Sequence, residues 1–329
     1  MTRTFTRRTI MAMAGAAAVL PVSTRPGTAA QIPHLGFFGP PAGPSVTLAH
    51  AVAKGLFDPI AAAATFTAWR NPDELRAGLT SGTILLSVVP VQAAANLYNR
   101  GFPIRLANVM TNGLLYVISD KDDIGKVADL KGRKIAVPFR GDTPEIIFGQ
   151  LLAHAGLDAS GDLEITYTGS PIEAMQLLLS GRVDAALSAE PASSGAIVMG
   201  KTMGKNIHRA IDIQAAWGAM TGAAPVVPQA GLALTGAFVE NHGDAVPQLL
   251  QIVEATTADT LADPQAAAAN ATGAFGMPAP VLAASLPYSN LVARPAQEAR
   301  GDIERMLSAM AGPDMARIGG ELPDDGFYF

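Results

Sequence analysis

A strand–helix–strand pattern with distinctive helix ends occurs twice in this chain of 329 residues. Residues 71–82 read NPDELRAGLTSG, and residues 170–181 read SPIEAMQLLLSG. Each segment opens with a residue that favours the N-cap, continues with proline and a glutamate two residues later, and closes on Ser-Gly. An apolar run typical of a strand follows each segment, TILLSVVP in the first case and RVDAALSAEP in the second. The pattern predicts two helices with the same capping box and glycine stop, each leading into a buried strand.

The similarity extends upstream of both segments. HLGFFG precedes a predicted helix over 44–56, KIAVPFRG precedes one over 144–157, and both helices end on Gly-Leu. Two generic strand–helix units that share cap residues would give the same match, so an internal repeat and a coincidence both remain open. Either interpretation predicts an α/β fold of two lobes, each a mainly parallel sheet built from β-α-β units and flanked by helices.

The order of the strand signals predicts where the chain passes between the lobes. Residues 114–123 are typical of a strand that leaves lobe one, and residues 229–238 of a strand that returns to it. We therefore expect lobe one over 31–112 plus 236–329, lobe two over 120–228, and hinge segments near 112–120 and 225–236. The tail after residue 241 is helical by pattern and should pack on lobe one. Ligands of such sheets bind beyond the carboxyl ends of the strands, so the cleft between the lobes is the expected site.

The first thirty residues are typical of an export signal rather than of a folded element. Basic residues, including the pair Arg7-Arg8, precede the short apolar run 9–20, and small residues predict cleavage after Ala30. The arginine pair resembles the twin-arginine export motif, and an ordinary secretory signal is the alternative. Both interpretations predict a periplasmic protein.

Charge and cysteine content exclude several classes of protein. Residues 1–30 contain four arginines and no acidic residue, so the remainder has 19 basic and 28 acidic residues. That acidic excess argues against nucleic-acid binding and against attachment to anionic membranes. The chain has no cysteine, which excludes disulfides and thiolate metal sites, and its five histidines lack metal-ligand spacing. We expect a monomer without metal, cofactor, or membrane insertion.

One segment matches a nucleotide-binding motif, but its position in the predicted secondary structure does not fit that motif. Residues 195–202, GAIVMGKT, satisfy the P-loop pattern. A P-loop must directly follow a strand, whereas Pro191 predicts a helix that runs through these residues. The common hydrolase signatures are also missing from the sequence. We therefore predict no catalytic residues and no enzymatic activity.

Four short motifs carry a resemblance to a known family. They are DLKG at 129–132, GDT at 141–143, GLD at 156–158, and GRVD at 181–184 with Glu190-Pro191. In this combination the chain resembles the periplasmic solute-binding proteins of ABC importers. The branch it resembles binds nitrate, sulfonates, taurine and the pyrimidine precursor of thiamine.

The resemblance implies a type II periplasmic binding fold and a small-molecule ligand held between the lobes by the loops after the strands. It also implies delivery of that ligand to an ABC permease in the inner membrane. The candidate ligand-binding residues in these loops are Phe38, Gly39, Pro40, Ser45, Trp69, Arg70, Asn71, Val89, Pro90, Thr111 and Asn112 in lobe one, and Arg140, Gly141, Asp142, Thr143, Ser170 and Glu190 in lobe two.

The candidate residues give mixed signals about the ligand. The family carries a Gly-Ser-Thr-like loop where this chain has Asp142, and Thr143 is expected to cap the next helix. A carboxylate there repels nitrate or a sulfonate and, with Glu190, favours a ligand that donates hydrogen bonds, such as an amine, an amide or a heteroaromatic ring. Arg70 and Arg140 instead favour an anionic group on the ligand, so a zwitterionic ligand remains an alternative. We expect the ligand between Trp69 and the loop 140–143.

Two other functions remain open at this point. The first is an exported enzyme that reuses the two-lobed fold, with Asp142 or Glu190 as its acid/base group. The second is a sensor subunit that presents its ligand-bound form to a membrane receptor.

Overall fold

Two β-sheets flanked by helices make up residues 31–329, which are the residues that the computed structural model describes. The predicted export signal lies outside these residues. The first elements in chain order are β1 (Leu35–Gly39), α1 (Gly43–Ala53), β2 (Ala64–Ala68), α2 (Pro72–Ser81), β3 (Leu86–Pro90), α3 (Val91–Asn99), β4 (Ile104–Leu106) and β5 (Asn108–Thr111).

The chain then builds a second sheet before it returns to the first. The middle elements are β6 (Leu115–Ser119), β7 (Lys134–Pro138), α4 (Thr143–His154), β8 (Glu164–Thr168), α5 (Pro171–Leu179), β9 (Ala185–Ala189), α6 (Ala192–Thr202), β10 (His208–Asp212) and α7 (Ile213–Thr221). The last elements are β11 (Ala230–Thr235), α8 (Gly236–His242), α9 (Val246–Ala262), α10 (Pro264–Phe275), α11 (Ala279–Ser285), β12 (Leu291–Pro295) and α12 (Ala296–Ala311).

The two sheets have the same arrangement at their centres. β1 lies between β2 and β3 and is parallel to both, as β7 is to β8 and β9. An antiparallel strand lies next to each trio, β11 beside β3 and β6 beside β9. The full orders are β12-β5-β11-β3-β1-β2, with β4 pairing with β11, and β10-β6-β9-β7-β8. The predicted fold class is confirmed, and antiparallel strands extend both parallel centres.

The N-cap hydrogen bonds of α2 and α5 form as the sequence predicts, but the return bond of each predicted capping box is displaced by one residue. Asn71 Oδ1 accepts a hydrogen bond from the N–H of Glu74 at 3.0 Å, and Ser170 Oγ accepts one from Glu173 at 3.2 Å. Each glutamate in turn accepts the N–H of the residue before the cap, at 2.9 Å in α2 and 2.7 Å in α5. All of these bonds join residues three or four positions apart, so the local sequence is enough to specify them.

α1 and α4 end three residues before their predicted ends. Gly55 and Gly156 have positive φ angles of 66° and 73°. The N–H of Leu56 donates to the carbonyl of Ala51 at 3.0 Å, and Leu157 makes the equivalent bond at 2.9 Å. The Gly-Leu pairs therefore form the turn that terminates each helix rather than its last helical residues.

The tail after β11 is mostly helical, as expected, but it also contains a strand. β12 pairs antiparallel with β5 at the edge of the first sheet. β11 lies within the predicted hinge segment 225–236 and pairs with β3, β4 and β5 of the first sheet. The lobe and hinge boundaries stay a prediction.

A shared hydrophobic core joins the two sheets on one side. Phe148 and Leu151 of α4 belong to the same buried cluster as Met306 and Met310 of α12. Gln150 Nε2 also donates to the Met310 carbonyl at 3.3 Å. Because α4 connects β7 to β8 of the second sheet and α12 follows β12 of the first, this packing holds the two sheets together on that side. Among residues 31–329, no helix is both long enough and apolar enough to cross a bilayer.

Candidate functional site

A cavity of about 150 Å³ lies where the carboxyl ends of the parallel strands of the two sheets face each other. Pro40 and Trp69 follow β1 and β2, and Pro90 ends β3. From the second sheet, Phe139 and Glu190 directly follow β7 and β9, and Ser170 follows β8. All six parallel strands therefore contribute to one cavity, where ligands of α/β sheets bind.

Trp69 is held rigidly at the wall of this cavity. Its side chain is 4% exposed, and its indole Nε1 donates to Ser87 Oγ at 3.1 Å. The Ser87 hydroxyl donates in turn to the carbonyl of Val88 at 2.9 Å. An indole fixed in this way offers a ligand an apolar face with little loss of side-chain entropy.

Phe139, which is not among the candidates named from the sequence, lines the cavity from the second sheet. It has a φ of 57°, in the left-handed region that a bulky residue rarely adopts. Its N–H donates to the Thr168 carbonyl at 3.0 Å, and its carbonyl accepts the N–H of Asp142 at 3.0 Å. These bonds hold Phe139 in a strained conformation a few residues before the N-terminus of α4, and such strain is common at functional sites.

Asp142 lies at the cavity wall and is paired with an arginine of α2, a helix that packs with the first sheet. Arg76 Nη2, on α2, donates to Asp142 Oδ1 at 2.8 Å, and Arg76 also pairs with Asp73 at 3.0 Å. The Asp142 side chain is only 19% exposed. Burial raises the pKa of Asp142 above its usual value, and the Arg76 guanidinium opposes that rise.

The helix that follows begins differently from the prediction. Asp142 occupies the N-cap position of α4, and Thr143 is the first helical residue rather than the cap. Thr143 Oγ1 instead donates to Gln92 Oε1 at 3.4 Å. Since Gln92 belongs to α3, this is a second polar contact across the cleft.

Glu190 is fully buried, and both of its oxygens have partners within the protein. Oε1 accepts from Arg209 Nε at 2.8 Å and from Arg209 Nη2, and Oε2 accepts the N–H of Ser194 at 3.1 Å. The Arg209 guanidinium also lies 3.4 Å from the ring centroid of Tyr288. Burial raises the pKa of Glu190, and Arg209 counteracts that rise. The negative charge of Glu190 is therefore compensated by Arg209.

The two predicted arginines lie in different places. Arg70 lines the cavity, but its side chain is 86% exposed and pairs with Glu74 at 3.2 Å. Arg140 is exposed and lies over the Tyr167 ring at 4.7 Å, outside the cavity lining.

About half of the candidate residues meet at the cavity. Those that line it are Pro40, Trp69, Arg70, Pro90, Asp142, Thr143, Ser170 and Glu190. Those outside its lining are Phe38, Gly39, Ser45, Asn71, Val89, Thr111, Asn112, Arg140 and Gly141.

Several residues of the second group have structural contacts. Gly39 packs so closely on α1 that a Cβ there would lie 2.2 Å from Ser45 Oγ. Thr111 Oγ1 donates to the carbonyl of Ser289 at 2.7 Å, and Asn71 caps α2. These contacts position the strand ends from behind the cavity.

The residues that line the rest of the cavity are not among the candidates named from the sequence. They are Pro41, Ala42, Pro72, Leu114, Leu115, Pro138, Phe139, Pro144, Pro171, Ile172, Ala189, Ala192, Gln229, Ala230 and Met277. The helix-starting prolines were visible in the repeat but were interpreted only as helix signals. Within residues 31–329, we find no cluster of three or more histidine, aspartate or glutamate side chains that could hold a metal ion.

Comparison with known proteins places the chain in a family. A family model described as NMT1-like matches residues 35–274. The chain belongs to the NMT1-like family. Among curated protein sequences, none matches this NMT1-like protein. The four short motifs predicted a resemblance to periplasmic solute-binding proteins of ABC importers. The solved structures that share the fold of this chain agree with that prediction.

Three solved structures illustrate that likeness. An ABC transporter protein from Parabacteroides distasonis is 23% identical, with a TM-score of 0.72 over 91% of this chain and 98% of its own. The periplasmic aliphatic sulphonate binding protein SsuA of Escherichia coli is 19% identical, with a TM-score of 0.66 over 86% and 96%. The periplasmic nitrate-binding protein NrtA of Synechocystis PCC 6803 is 13% identical, with a TM-score of 0.60 over 76% and 69%. These likenesses confirm the fold of the chain.

Proposed function

We propose that this NMT1-like protein is a solute-binding protein of an ABC importer. It captures a small polar or heteroaromatic molecule in the cavity between the two sheets and delivers it to a permease in the inner membrane. The observation that carries the proposal is the convergence of all six parallel strand ends on one cavity. The solved structures of the same fold support it, because they are an ABC transporter protein and two periplasmic binding proteins.

The charge pairing in the cavity supports binding without catalysis. A general acid or base needs a carboxyl group that is free to exchange a proton with its substrate. Asp142 is paired with Arg76, and both oxygens of Glu190 accept hydrogen bonds from Arg209 and Ser194. Proton transfer by either carboxyl group would first have to break these contacts.

The cellular setting is part of the same proposal. Residues 1–30 direct export and are removed, and the remaining acidic chain works in the periplasm as a monomer. The support comes from the sequence signals and from the periplasmic proteins that share the fold.

Ligand screening tests the proposed function. Protein isolated after export is unfolded to release bound solutes, refolded, and screened by thermal shift against a metabolite panel, with calorimetric titration of each hit. We expect at least one small solute to raise the melting temperature and to bind with one-to-one stoichiometry. Failure of every metabolite in a broad panel would count against the function.

A pair of variants locates the binding site. Ala189→Phe places a ring in the cavity, and Ala128→Phe places the same ring on the exposed surface. We expect the first variant to lose binding of the hit and the second to retain it. Equal affinity in both variants would contradict this location.

A further inference from the structure

The volume of the cavity between the sheets limits what it can hold. An apolar cavity of about 150 Å³ in another protein accommodates one benzene molecule. The cavity here also has about 150 Å³ and includes the aromatic residues Trp69 and Phe139 in its lining. The cavity is therefore large enough for an occupant about the size of a single six-membered ring.

The backbone around the cavity is poor in hydrogen-bond donors. Seven lining residues are prolines, which have no N–H group: Pro40, Pro41, Pro72, Pro90, Pro138, Pro144 and Pro171. Three of them lie in the first turn of helices that begin at the cavity, namely α2, α4 and α5. An oxyanion at a helix N-terminus is held by the N–H groups of that first turn, and proline removes one of them.

Other first-turn donors are already used by the protein. The Asn71 side chain accepts the N–H of Glu74 in α2, and Ser170 accepts that of Glu173 in α5. In α6, the Glu190 carboxylate accepts the N–H of Ser194. The N-terminal ends of these helices are thus capped by oxygens of the chain itself.

The charged groups at the cavity are paired among themselves. Arg70 pairs with Glu74, Asp142 with Arg76, and Glu190 with Arg209. Arg70, Asp142 and Glu190 are the charged residues in the lining, and each has an ion partner. The lining therefore offers an anion no unpaired cation: Arg70 is engaged by Glu74, and the two carboxylates in the lining engage the arginines beside them.

Two polar side chains keep hydrogen-bonding capacity for a neutral ligand. Ser170 Oγ accepts the N–H of Glu173, so its own proton is available to donate. Gln229 Oε1 accepts the N–H of Leu114 at 3.2 Å, and the side-chain NH₂ group carries two further donors. Both residues line the cavity and suit a ring with an uncharged polar edge.

We propose that the cavity selects an uncharged, monocyclic aromatic or heteroaromatic solute and rejects oxyanions. This inference rests on the proposed solute-binding function and names its substrate class. Trp69 and Phe139 pack on the ring, Ser170 and Gln229 contact its polar edge, and Asp142 repels anionic groups. Nitrate and aliphatic sulfonates, after which two of the structurally similar proteins are named, are outside this class.

Matched pairs of probes test the class directly. Nicotinamide and nicotinate differ mainly in the charge of one substituent, as do benzamide and benzoate. Each is titrated by calorimetry into protein stripped of bound solute, beside phenol, nitrate and propanesulfonate. We expect the amides or phenol to bind, and each acid to bind at least tenfold more weakly than its amide.

The outcomes separate this inference from the proposed function. Equal or tighter binding of the acids, nitrate or propanesulfonate would overturn the substrate class while supporting a solute-binding protein. Binding of only large or charged metabolites from the wider panel would do the same. If no probe and no metabolite binds, the proposed function fails together with the inference.

A variant pair tests the role of Asp142. Asp142→Asn removes the carboxylate charge at the cavity wall and leaves Asp73 as the ion partner of Arg76. Asp73→Asn removes the other, exposed partner of Arg76, which lies outside the lining, and serves as the control. We expect Asp142→Asn to reduce the preference for amide over acid by at least tenfold, and Asp73→Asn to leave it within twofold. An unchanged preference in Asp142→Asn would show that this carboxylate does not reject anions.

Discussion

Arg76 and Asp142 form an ion pair that joins α2 of the first sheet to the start of α4 after the second, with 2.8 Å between Nη2 and Oδ1. The pair lies at the edge of the cavity, because Asp142 is also part of its lining. It therefore links the charge of the cavity wall to the contact between the sheets, and a change at Asp142 affects both.

The pH dependence of stability reports on this carboxyl group. The pKa of Asp142 is higher in the folded protein than its ordinary value of 3.8, so the folded state holds that proton more readily than the unfolded chain. Its contribution to the free energy of unfolding is present below pH 3.8 and is lost as pH rises through the raised pKa. Asp142→Asn removes the dependence, so we expect the variant to gain stability relative to the wild type as pH rises from acid to neutral.

Urea unfolding at a series of pH values measures this difference. Asp73→Asn, which changes an exposed partner of the same arginine, is the control. If Asp142→Asn instead loses stability relative to the wild type as pH rises, the ion pair with Arg76 outweighs the cost of burial.

The two tryptophans of the chain give a built-in reporter of binding. Trp69 lines the cavity, whereas Trp217 of α7 is fully buried in the core. We expect the ligand to change the fluorescence of the wild type and of Trp217→Phe, and to leave that of Trp69→Phe unchanged. Trp69→Leu removes the aromatic face and should weaken binding about tenfold. A ligand-dependent signal that disappears only in Trp217→Phe would contradict the placement of the ligand.

Variants of Phe139 can distinguish the effect of its ring on ligand binding from the effect of its positive φ angle on stability. A non-glycine residue at positive φ costs roughly 1–2 kcal/mol, and Phe139→Gly relieves that strain whereas Phe139→Ala retains it. We expect both variants to lose affinity for the ligand by a similar factor, because both lose the ring. In urea unfolding, the glycine variant should be more stable than the alanine variant by about 1 kcal/mol.

Asn290 provides the matched control for this pair. It is the other non-glycine residue with a positive φ, at 41°, among those the structure describes, and it lies outside the cavity lining. Asn290→Gly should leave the affinity unchanged. Unaltered binding in Phe139→Ala would remove Phe139 from the proposed site.

The parts of the fold that depend on near neighbours could be predicted from the sequence. The N-cap bonds at Asn71 and Ser170 and the glycine turns at Gly55 and Gly156 each involve residues within five positions of one another. Strand β12 was missed, because residues 291–295 become a strand only by pairing with β5, about 180 residues earlier in the chain.

The site was predicted less well for the same reason. The position of each loop after a strand followed from the α/β pattern, and eight candidate residues line the cavity. The conformation of Phe139 depends on its hydrogen bond to the carbonyl of Thr168 at the end of β8. The negative charge of Glu190 is compensated by Arg209 from β10. No local sequence motif identifies Thr168 or Arg209 as these partners. The sequence therefore could not show which charged groups of the cavity are already paired.

Export of the chain gives a prediction that is independent of the cavity. We expect the periplasmic protein to begin at Gln31, as measured by N-terminal sequencing. Replacing Arg7 and Arg8 with lysine should block export if the twin-arginine pathway is used. Normal export of this variant would point to the general secretory pathway, and a periplasmic protein that begins at Met1 would contradict cleavage.

Ligand binding should bring the two sheets with their helices closer together. Hydrogen bonds cross between them on the cavity side: Arg76 with Asp142, Thr143 with Gln92, and the Tyr116 hydroxyl with the Tyr288 carbonyl at 2.9 Å. On the far side, the shared core of α4 and α12 resists separation. We therefore expect a limited opening of the cleft in the absence of ligand.

Spin labels can measure this motion, because the chain has no cysteine of its own. Ser81 and Ser180 are exposed residues at the ends of α2 and α5, one on each side of the cleft. With cysteine at both positions, the distance between the labels should shorten and its distribution should narrow when ligand is added. A control pair at Ser160 and Ser180 lies on the second-sheet side alone and should not change. Because a protein that is already closed without ligand would give a single short distance in both states, that result would contradict the opening predicted here.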